Sequence, residues 1–234
     1  MKIGNVKVVG LGGIGSCLLP ILLRYLAYRD GSCGSITLID GDRFEPGNNS
    51  RQVFDKLGNK ARVTVARFER IFTDLQLRAE PQYVTSANAD QLIAEGDIVF
   101  AGVDTHAVRR LLSDRVAQLR DAVLISGGNE YRDGNAQIYW RRSGKNVTLP
   151  LANQFHLEIV HPEDVNPGEN SCSAEVRSDP QLILANNAAA TCMLNALYAL
   201  EQGTLDYDEV YFDVLTGSVR TERRPRPKRR SHGG

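Results

Sequence analysis

Residues 6–16 read Val6-Lys7-Val8-Val9-Gly10-Leu11-Gly12-Gly13-Ile14-Gly15-Ser16. A short β-branched run enters a G-x-G-x-x-G turn at Gly10, Gly12 and Gly15, and an apolar helical pattern leaves it from about Ile14 to Tyr28. A strand, a glycine turn and a helix in that order place the free N–H groups of a helix N-terminus, and the positive end of its dipole, where an anion can sit against bare backbone. A second strand pattern, Ser35 to Ile39, ends in Asp40, where a carboxylate can accept from ribose hydroxyls. The turn alone does not choose between a dinucleotide and ATP, and by itself it favours NAD(P) or FAD. The bland alternative, a glycine turn that only lets helix and sheet pack closely, leaves Asp40 unexplained.

The same grammar continues outward. Helical spacing spans Ala61 to Leu75, with Val65, Phe68, Ile71 and Phe72 on one side, and a strand is expected at Pro81 to Thr85. A short helix follows at Ala89 to Ala94. A strand from Asp97 to Val103, a helix from Thr105 to Leu119 and a strand from Ala122 to Ser126 complete the series. This β-α-β-α alternation predicts an α/β fold with a Rossmann-like, doubly wound, mostly parallel sheet. After Gly127 the period changes. Gly134 to Arg142 alternates as an antiparallel strand does, Leu151 to Ser171 is irregular, Pro180 to Leu200 is a long helix, and Val210 to Glu222 forms a hairpin around Thr216-Gly217. The extension is therefore antiparallel.

The 234 residues, 42% of them hydrophobic, suit one domain, expected over 1–222. Formal net charge is zero, but RTERRPRPKRR (residues 220–230) is strongly basic, so the body before it is net acidic. From Arg223 onward charge and proline without apolar residues predict a basic flexible tail, 223–234. That tail suits an acidic partner or RNA through salt-sensitive contacts. Cys17, Cys33, Cys172 and Cys192 form no CxxC pair, which argues against a zinc ribbon and a disulfide framework. No signal-peptide pattern opens the sequence and no segment reads as membrane-spanning, so a cytoplasmic location and no membrane partner are expected.

The loop DGDRFEPGNNSRQVF (residues 40–54), followed by Asn59-Lys60-Ala61, moves the reading from redox to adenylation. An enzyme that cleaves ATP between its α and β phosphates needs no strong base, because the incoming carboxylate is already ionised. It does need cations, because an anion approaches a triphosphate and charge builds on the leaving pyrophosphate. Arg51 and Lys60 supply them, Arg51 with a planar fork suited to phosphate oxygens. Asn48 and Gln52 can donate hydrogen bonds without adding charge, and Asp42 lies beside Asp40. Asp104, just past the strand ending at Val103, can hold Mg²⁺. Each has a plain structural alternative: a surface ion pair for Arg51, a solvated helix position for Lys60, a helix cap for Asp104. Their grouping at one sheet edge favours the functional reading.

Together GLGGIGS (10–16), TLIDGD (37–42), E-x-x-N-x-x-RQ (45–52), the lysine that leads a helix and GVDTHAVRRLL (102–112) resemble the ThiF/MoeB/HesA family and the adenylation domains of ubiquitin-activating enzymes. The resemblance runs from about Lys7 to Tyr198, and its compactness, with Asn170-Ser171-Cys172-Ser173, is similar to small bacterial ThiF-like proteins. It implies that Asp40 contacts ribose, that Asn48, Arg51 and Lys60 handle phosphates (Lys56 is a weaker candidate for the lysine), and that Asp104 binds magnesium. Arg109 also fits the family pattern but is assigned a structural role first. ATP and Mg²⁺ are the implied ligands. The paired CxxC motifs of ThiF and MoeB are missing, so no structural zinc is expected. The N-terminal helix that lends an arginine to a neighbouring subunit is also missing, although a homodimer remains the family expectation.

The implied substrate is the C-terminal glycine carboxylate of a ubiquitin-like or sulfur-carrier protein ending in Gly-Gly. The resemblance makes Cys172, ahead of the long helix, the candidate thiol that takes over the acyl group as a thioester or forms an acyl-disulfide; a thiol near a helix N-terminus is activated, whereas a buried one only packs. Cys17 and Cys192 read as packing residues and Cys33 has no assigned role. His156 and His161 lie in the same irregular stretch. The chain's own Gly233-Gly234 reads as chance before mimicry of a carrier tail. Alternatives are adenylation of a small or tRNA-bound carboxylate, as in threonylcarbamoyladenosine dehydratases, an NAD(P)-dependent oxidoreductase, and a non-catalytic half of a heterodimer.

Overall fold

The computed structural model describes residues 3–31, 33–47, 54, 56–169 and 182–225. β1 (Val6–Val9), β2 (Ile36–Ile39), β5 (Leu77–Glu80), β6 (Ile98–Ala101) and β7 (Ala122–Asn129) run parallel, and β8 (Asp133–Arg142), β10 (Glu209–Asp213) and β11 (Ser218–Glu222) extend the sheet antiparallel, in the order β11-β10-β8-β7-β6-β1-β2-β5. A small β9 (Lys145–Asn146) pairs with β8, and β3 (Arg43–Phe44) pairs with β4 (Gly58–Asn59) off the main sheet. The doubly wound expectation is met.

The parallel strands are apolar on both sides because helices cover both faces. Val6, Val8, Ile36, Leu38, Ile98, Phe100, Val123 and Ile125 pack against α1 (Gly13–Tyr28), α2 (Lys60–Phe68) and α6 (Ile183–Gln202). The alternate residues Val9, Ile39, Val99, Ala101 and Leu124 face α3 (Ala89–Leu92), α4 (His106–Ala117) and α5 (Leu157–Val160). A fully buried leucine such as Leu22 of α1 contributes about 2 kcal/mol. Small residues Ala185, Ala189, Ala190 and Ala196 bring α6 close to its neighbours, and α6 ends on Gly203 in the left-handed region. α6 has 20 residues at a mean hydropathy of 1.2, so one helix does meet the length and composition of a membrane span, contrary to the expectation from sequence. Half of that window is buried inside the fold.

Other boundaries differ from the sequence reading. The strand expected at Pro81–Thr85 lies at Leu77–Glu80, in register with β2 from Ile36↔Leu77 to Ile39↔Glu80. Pairing at the sheet edge overrides weak strand propensity, and Pro81, lacking an N–H, ends it. The helix expected to reach Leu75 stops at Phe68, whose carbonyl accepts from both Ile71 and Phe72 N–H groups in a tightened last turn. The loop 42–50 begins with the β3 pairing, and β7 runs past Ser126 to Asn129.

The irregular stretch is held at several points, among them Asn166 Nδ2 donating to Val84 O (2.8 Å) and Leu151 N–H donating to Ser113 Oγ (3.1 Å). Its Asp164 carboxylate accepts from the N–H groups of His106 (2.6 Å) and Ala107 (2.8 Å), capping α4 in place of the uncapping Thr105. Its His156 is clasped between Glu158 Oε1 (2.9 Å) and Glu209 Oε1 of β10 (2.7 Å). Arg224 donates to the other oxygen of Glu209 at 2.8 Å and lies over the Phe155 ring. Arg224, which the sequence reading put in the tail, is thus built into the fold.

Burial works against the charges here, but the partners prevail: His156 is raised above its ordinary 6.5, and Glu209 falls from 4.5 to about 2 under His156, Arg224 and Tyr211. The His156 contribution is fully present below pH 6.5 and is lost as pH rises through the raised folded value. That of Glu209 is present above pH 4.5 and fades as pH falls towards 2. The clasp is strongest between those limits. Glu209→Ala should cost about 3 kcal/mol by chemical denaturation, because it strands buried cations. Glu209→Gln should flatten the loss of stability expected as pH rises from about 6.5 through the raised folded value of His156.

Candidate functional site

The winding reverses between β1 and β6: the chain goes from β1 to β2 on one side and returns to β6 on the other. Ligands bind in open α/β sheets at the carboxyl ends of strands at such a point. Gly10 closes β1 with φ +84°, donating to Ile39 O (3.0 Å), while Gly102 N–H donates to Val9 O (2.9 Å). A Cβ on Gly10 would stand 2.7 Å from Gly102 O, so the two backbones meet only because both positions lack side chains. Gly12 is the N-cap of α1 and offers no side chain to it. The first-turn N–H groups from Gly13 onward have no upstream helical carbonyl to bind and remain suited to an anion.

Asp40 is 7% exposed. Its Oδ2 accepts from Leu11 N–H within the glycine turn at 2.6 Å, and its Oδ1 from Asp42 N–H at 2.8 Å. Burial raises its pKa, offset in part by the charge of Lys60 and the Leu11 N–H. Asp42 accepts from Lys60 Nζ at 2.9 Å and from the Tyr83 hydroxyl. Burial opposes the Asp42 charge, but these two bonds outweigh it and hold the carboxyl below its ordinary value. Tyr83 is correspondingly raised, by burial and by Asp42.

Asn59 assembles this group. Its Nδ2 donates to the carbonyls of Asp40 (2.8 Å) and Asp42 (3.0 Å), while its Oδ1 caps α2 by accepting from Arg62 N–H (3.1 Å). The β3–β4 pair, with Arg43 opposite Asn59, thereby delivers Lys60 to the β2 edge as the first residue of α2. Lys60 is 8% exposed, which removes its solvated-helix alternative.

Asp104 is exposed beyond β6 and makes no hydrogen bond to a described residue; its cap role is taken by Asp164. Its charge acts on both Tyr83 and Arg109, so it lies near them. Arg109 is buried and donates to Val103 O (3.0 Å) and Gly127 O (3.1 Å), tying the β6–α4 turn to β7. Burial lowers its pKa against the pull of Asp104. That is a structural strut, as read from the sequence. Cys17, Cys33 and Cys192 pack on the core, and burial pushes each thiol up.

The structure therefore brings Gly10, Gly12, Gly13, Gly15, Asp40, Asp42 and Lys60 into one crevice with Asp104 nearby. Asn48, Arg51, Gln52 and Cys172 lie outside the described residues, as does Gly233-Gly234. Tyr83 and Asn59 escaped the sequence reading. For Asn59 a signal existed, an asparagine directly before a helix start; for Tyr83 none did. A cavity of about 200 Å³ between α1 and α2, lined by Cys17, Phe44, Phe54 and Val63 among others, contains none of the charged site residues.

The model of the ThiF family matches residues 2–230. The chain belongs to the ThiF family. It is 32% identical over 151 residues to "Adenylyltransferase and sulfurtransferase MOCS3" of Drosophila ananassae, covering 62% of this chain and 31% of that protein. It is 29% identical over 143 residues to the "Sulfur carrier protein adenylyltransferase" of Thermus thermophilus, covering 59% of this chain and 50% of that one. The chain thus spans about a third to a half of the length of these relatives. Among solved structures, E. coli MccB with ATP superposes with a TM-score of 0.69 at 18% identity over 98% of this chain and 66% of MccB, a likeness of fold.

Because Gly10 combines positive φ with a close backbone neighbour, Gly10→Ala should lose about 2 kcal/mol or more in urea denaturation. The same substitution should weaken nucleotide binding in calorimetry. Unchanged stability would show that the β1–β6 contact is not tight.

Proposed function

We propose that this ThiF family chain adenylates the C-terminal glycine carboxylate of a ubiquitin-like or sulfur-carrier protein at the expense of ATP. The observation that carries the reading is the joint placement of an anion-ready helix N-terminus, a buried carboxylate bonded to that turn, and a lysine beside it at the switch point of the sheet. The relatives, an adenylyltransferase of a sulfur carrier among them, support the choice of ATP over a dinucleotide.

In the proposed reaction Asp40 orients the ribose, and the α1 N-terminus with Lys60 and Arg51 receives the phosphates. Asn48 and Gln52 add uncharged donors. A carboxylate oxygen of the carrier attacks the α-phosphorus, the α–β anhydride bond breaks, and its electron pair leaves with pyrophosphate. Cations placed before the reaction stabilise charge as it builds. Magnesium fits the donors present: a single exposed carboxylate, Asp104, with phosphate and water oxygens completing the shell, is how Mg²⁺ is commonly held, and no cluster of three metal-ligating side chains exists among the described residues. It would supply charge neutralisation there. Transfer of the acyl group to Cys172, with AMP leaving, is the proposed second step. A cytoplasmic homodimer is part of the proposal; exposed Ile21, Tyr28, Leu184 and Tyr198 on neighbouring helices α1 and α6 are consistent with a covered face.

Exchange of labelled pyrophosphate into ATP, stimulated by a protein ending in Gly-Gly, is the expected outcome. Arg51→Ala and Asp104→Ala should each lower it roughly 100-fold. Cys172→Ala should leave exchange intact and abolish a thiol-sensitive adduct with the carrier. Stimulation by tRNA instead of a carrier would replace the substrate, and absence of ATP binding would end the reading.

A further inference from the structure

Asn186 sits in the first turn and a half of α6, fully buried, among Ala185, Ala189 and Ala190. Among the described residues neither its Nδ2 nor its Oδ1 has a hydrogen-bond partner. An amide in that position is costly, and an alanine or leucine would pack there without the penalty. The side chain nevertheless has a place cut for it. It packs against Gly13, the first residue of α1, where a Cβ would meet its Nδ2 first and stand 2.8 Å from its Cγ and 2.9 Å from its Oδ1. The absence of a side chain at Gly13 and the presence of an amide at Asn186 are thus matched, and the pairing puts an unused donor against the first residue of a 16-residue helix whose N-cap has no side chain.

The direction of approach assigns the group it meets. Asp40 reaches the glycine turn from the β2 flank, through Leu11. α6 covers β7, where a Cβ on Gly127 would strike Met193 of α6 and approach Ile14 of α1 to 3.4 Å. Asn186 therefore meets the turn from the β6–β7 flank, opposite the ribose side. We infer that Asn186 is a nucleotide-binding residue whose side-chain N–H donates to a non-bridging phosphate oxygen seated on the N-terminus of α1. The inference rests on the adenylation reading, and it adds a neutral donor from the far end of the chain to a site otherwise built from residues before 105. A neutral donor strengthens the hold on the phosphate without changing the charge balance on which departure of pyrophosphate depends.

The test compares ATP and adenosine binding by calorimetry for the full chain and for Asn186→Ala and Asn186→Leu. Each variant should bind ATP about tenfold more weakly and bind adenosine as the natural chain does. Asn186→Leu, which keeps the branching and removes the unpaired amide, should also raise the unfolding midpoint, so loss of ATP affinity will not coincide with loss of folding. ATP affinity equal to that of the natural chain in either variant, or equal weakening of ATP and adenosine, overturns the assignment. If the natural chain binds no ATP, the adenylation reading falls and this assignment with it; if it binds ATP and both variants match it, only the role of Asn186 falls.

Discussion

The approach of Gly10 to Gly102 is the constraint on which the site depends. Two adjacent parallel strands end together at the reversal point of the sheet, and their last backbones touch with no side chain between them. That contact lets the chain turn immediately into α1, leaves Leu11 N–H pointing at the carboxylate of Asp40, and sets the uncapped helix start over the crevice. A side chain at Gly10 would push the turn off the β6 end and separate these groups. The anion preference proposed for the site thus rests on packing before it rests on charge.

Much of this was legible because it is local or periodic. The glycine turn, Asp40 at a strand end and Lys60 at a helix start are each written in a few consecutive residues, and buried parallel strands announce themselves as unbroken apolar runs. What stayed hidden is decided by distant partners. Leu77–Glu80 has little strand character and becomes a strand only because β2 offers it a ladder. His156 reads as a stray loop histidine until Glu209, more than fifty residues later, is laid beside it. Arg224 reads as part of a basic tail because charge dominates its neighbourhood in sequence, whereas in space it answers the charge of Glu209. Asn186 is one polar residue in an alanine-rich helix, and only the space above Gly13 distinguishes it.

Besides the β7–β8 ladder, an irregular stretch of chain also ties the antiparallel strands to the parallel half of the molecule. Residues near 156 are fastened to β10 and those near 164 to the start of α4. α4 carries Arg109, which braces the turn holding Asp104 against β7.

The pairing of Lys60 with Asp42 has one further effect. A bare lysine in a crevice is a sticky spot for any small anion in the cell. Here the ammonium is already neutralised by a carboxylate that Tyr83 and Asn59 hold in place, so a newcomer must outcompete an intramolecular rival. A singly charged solute has little to offer in such an ion-exchange contest, whereas a polyphosphate brings several charges at once and can be gripped by the helix end at the same time. On the proposed function, the resting pair would act as a threshold that favours a ligand of high charge density over a small anion.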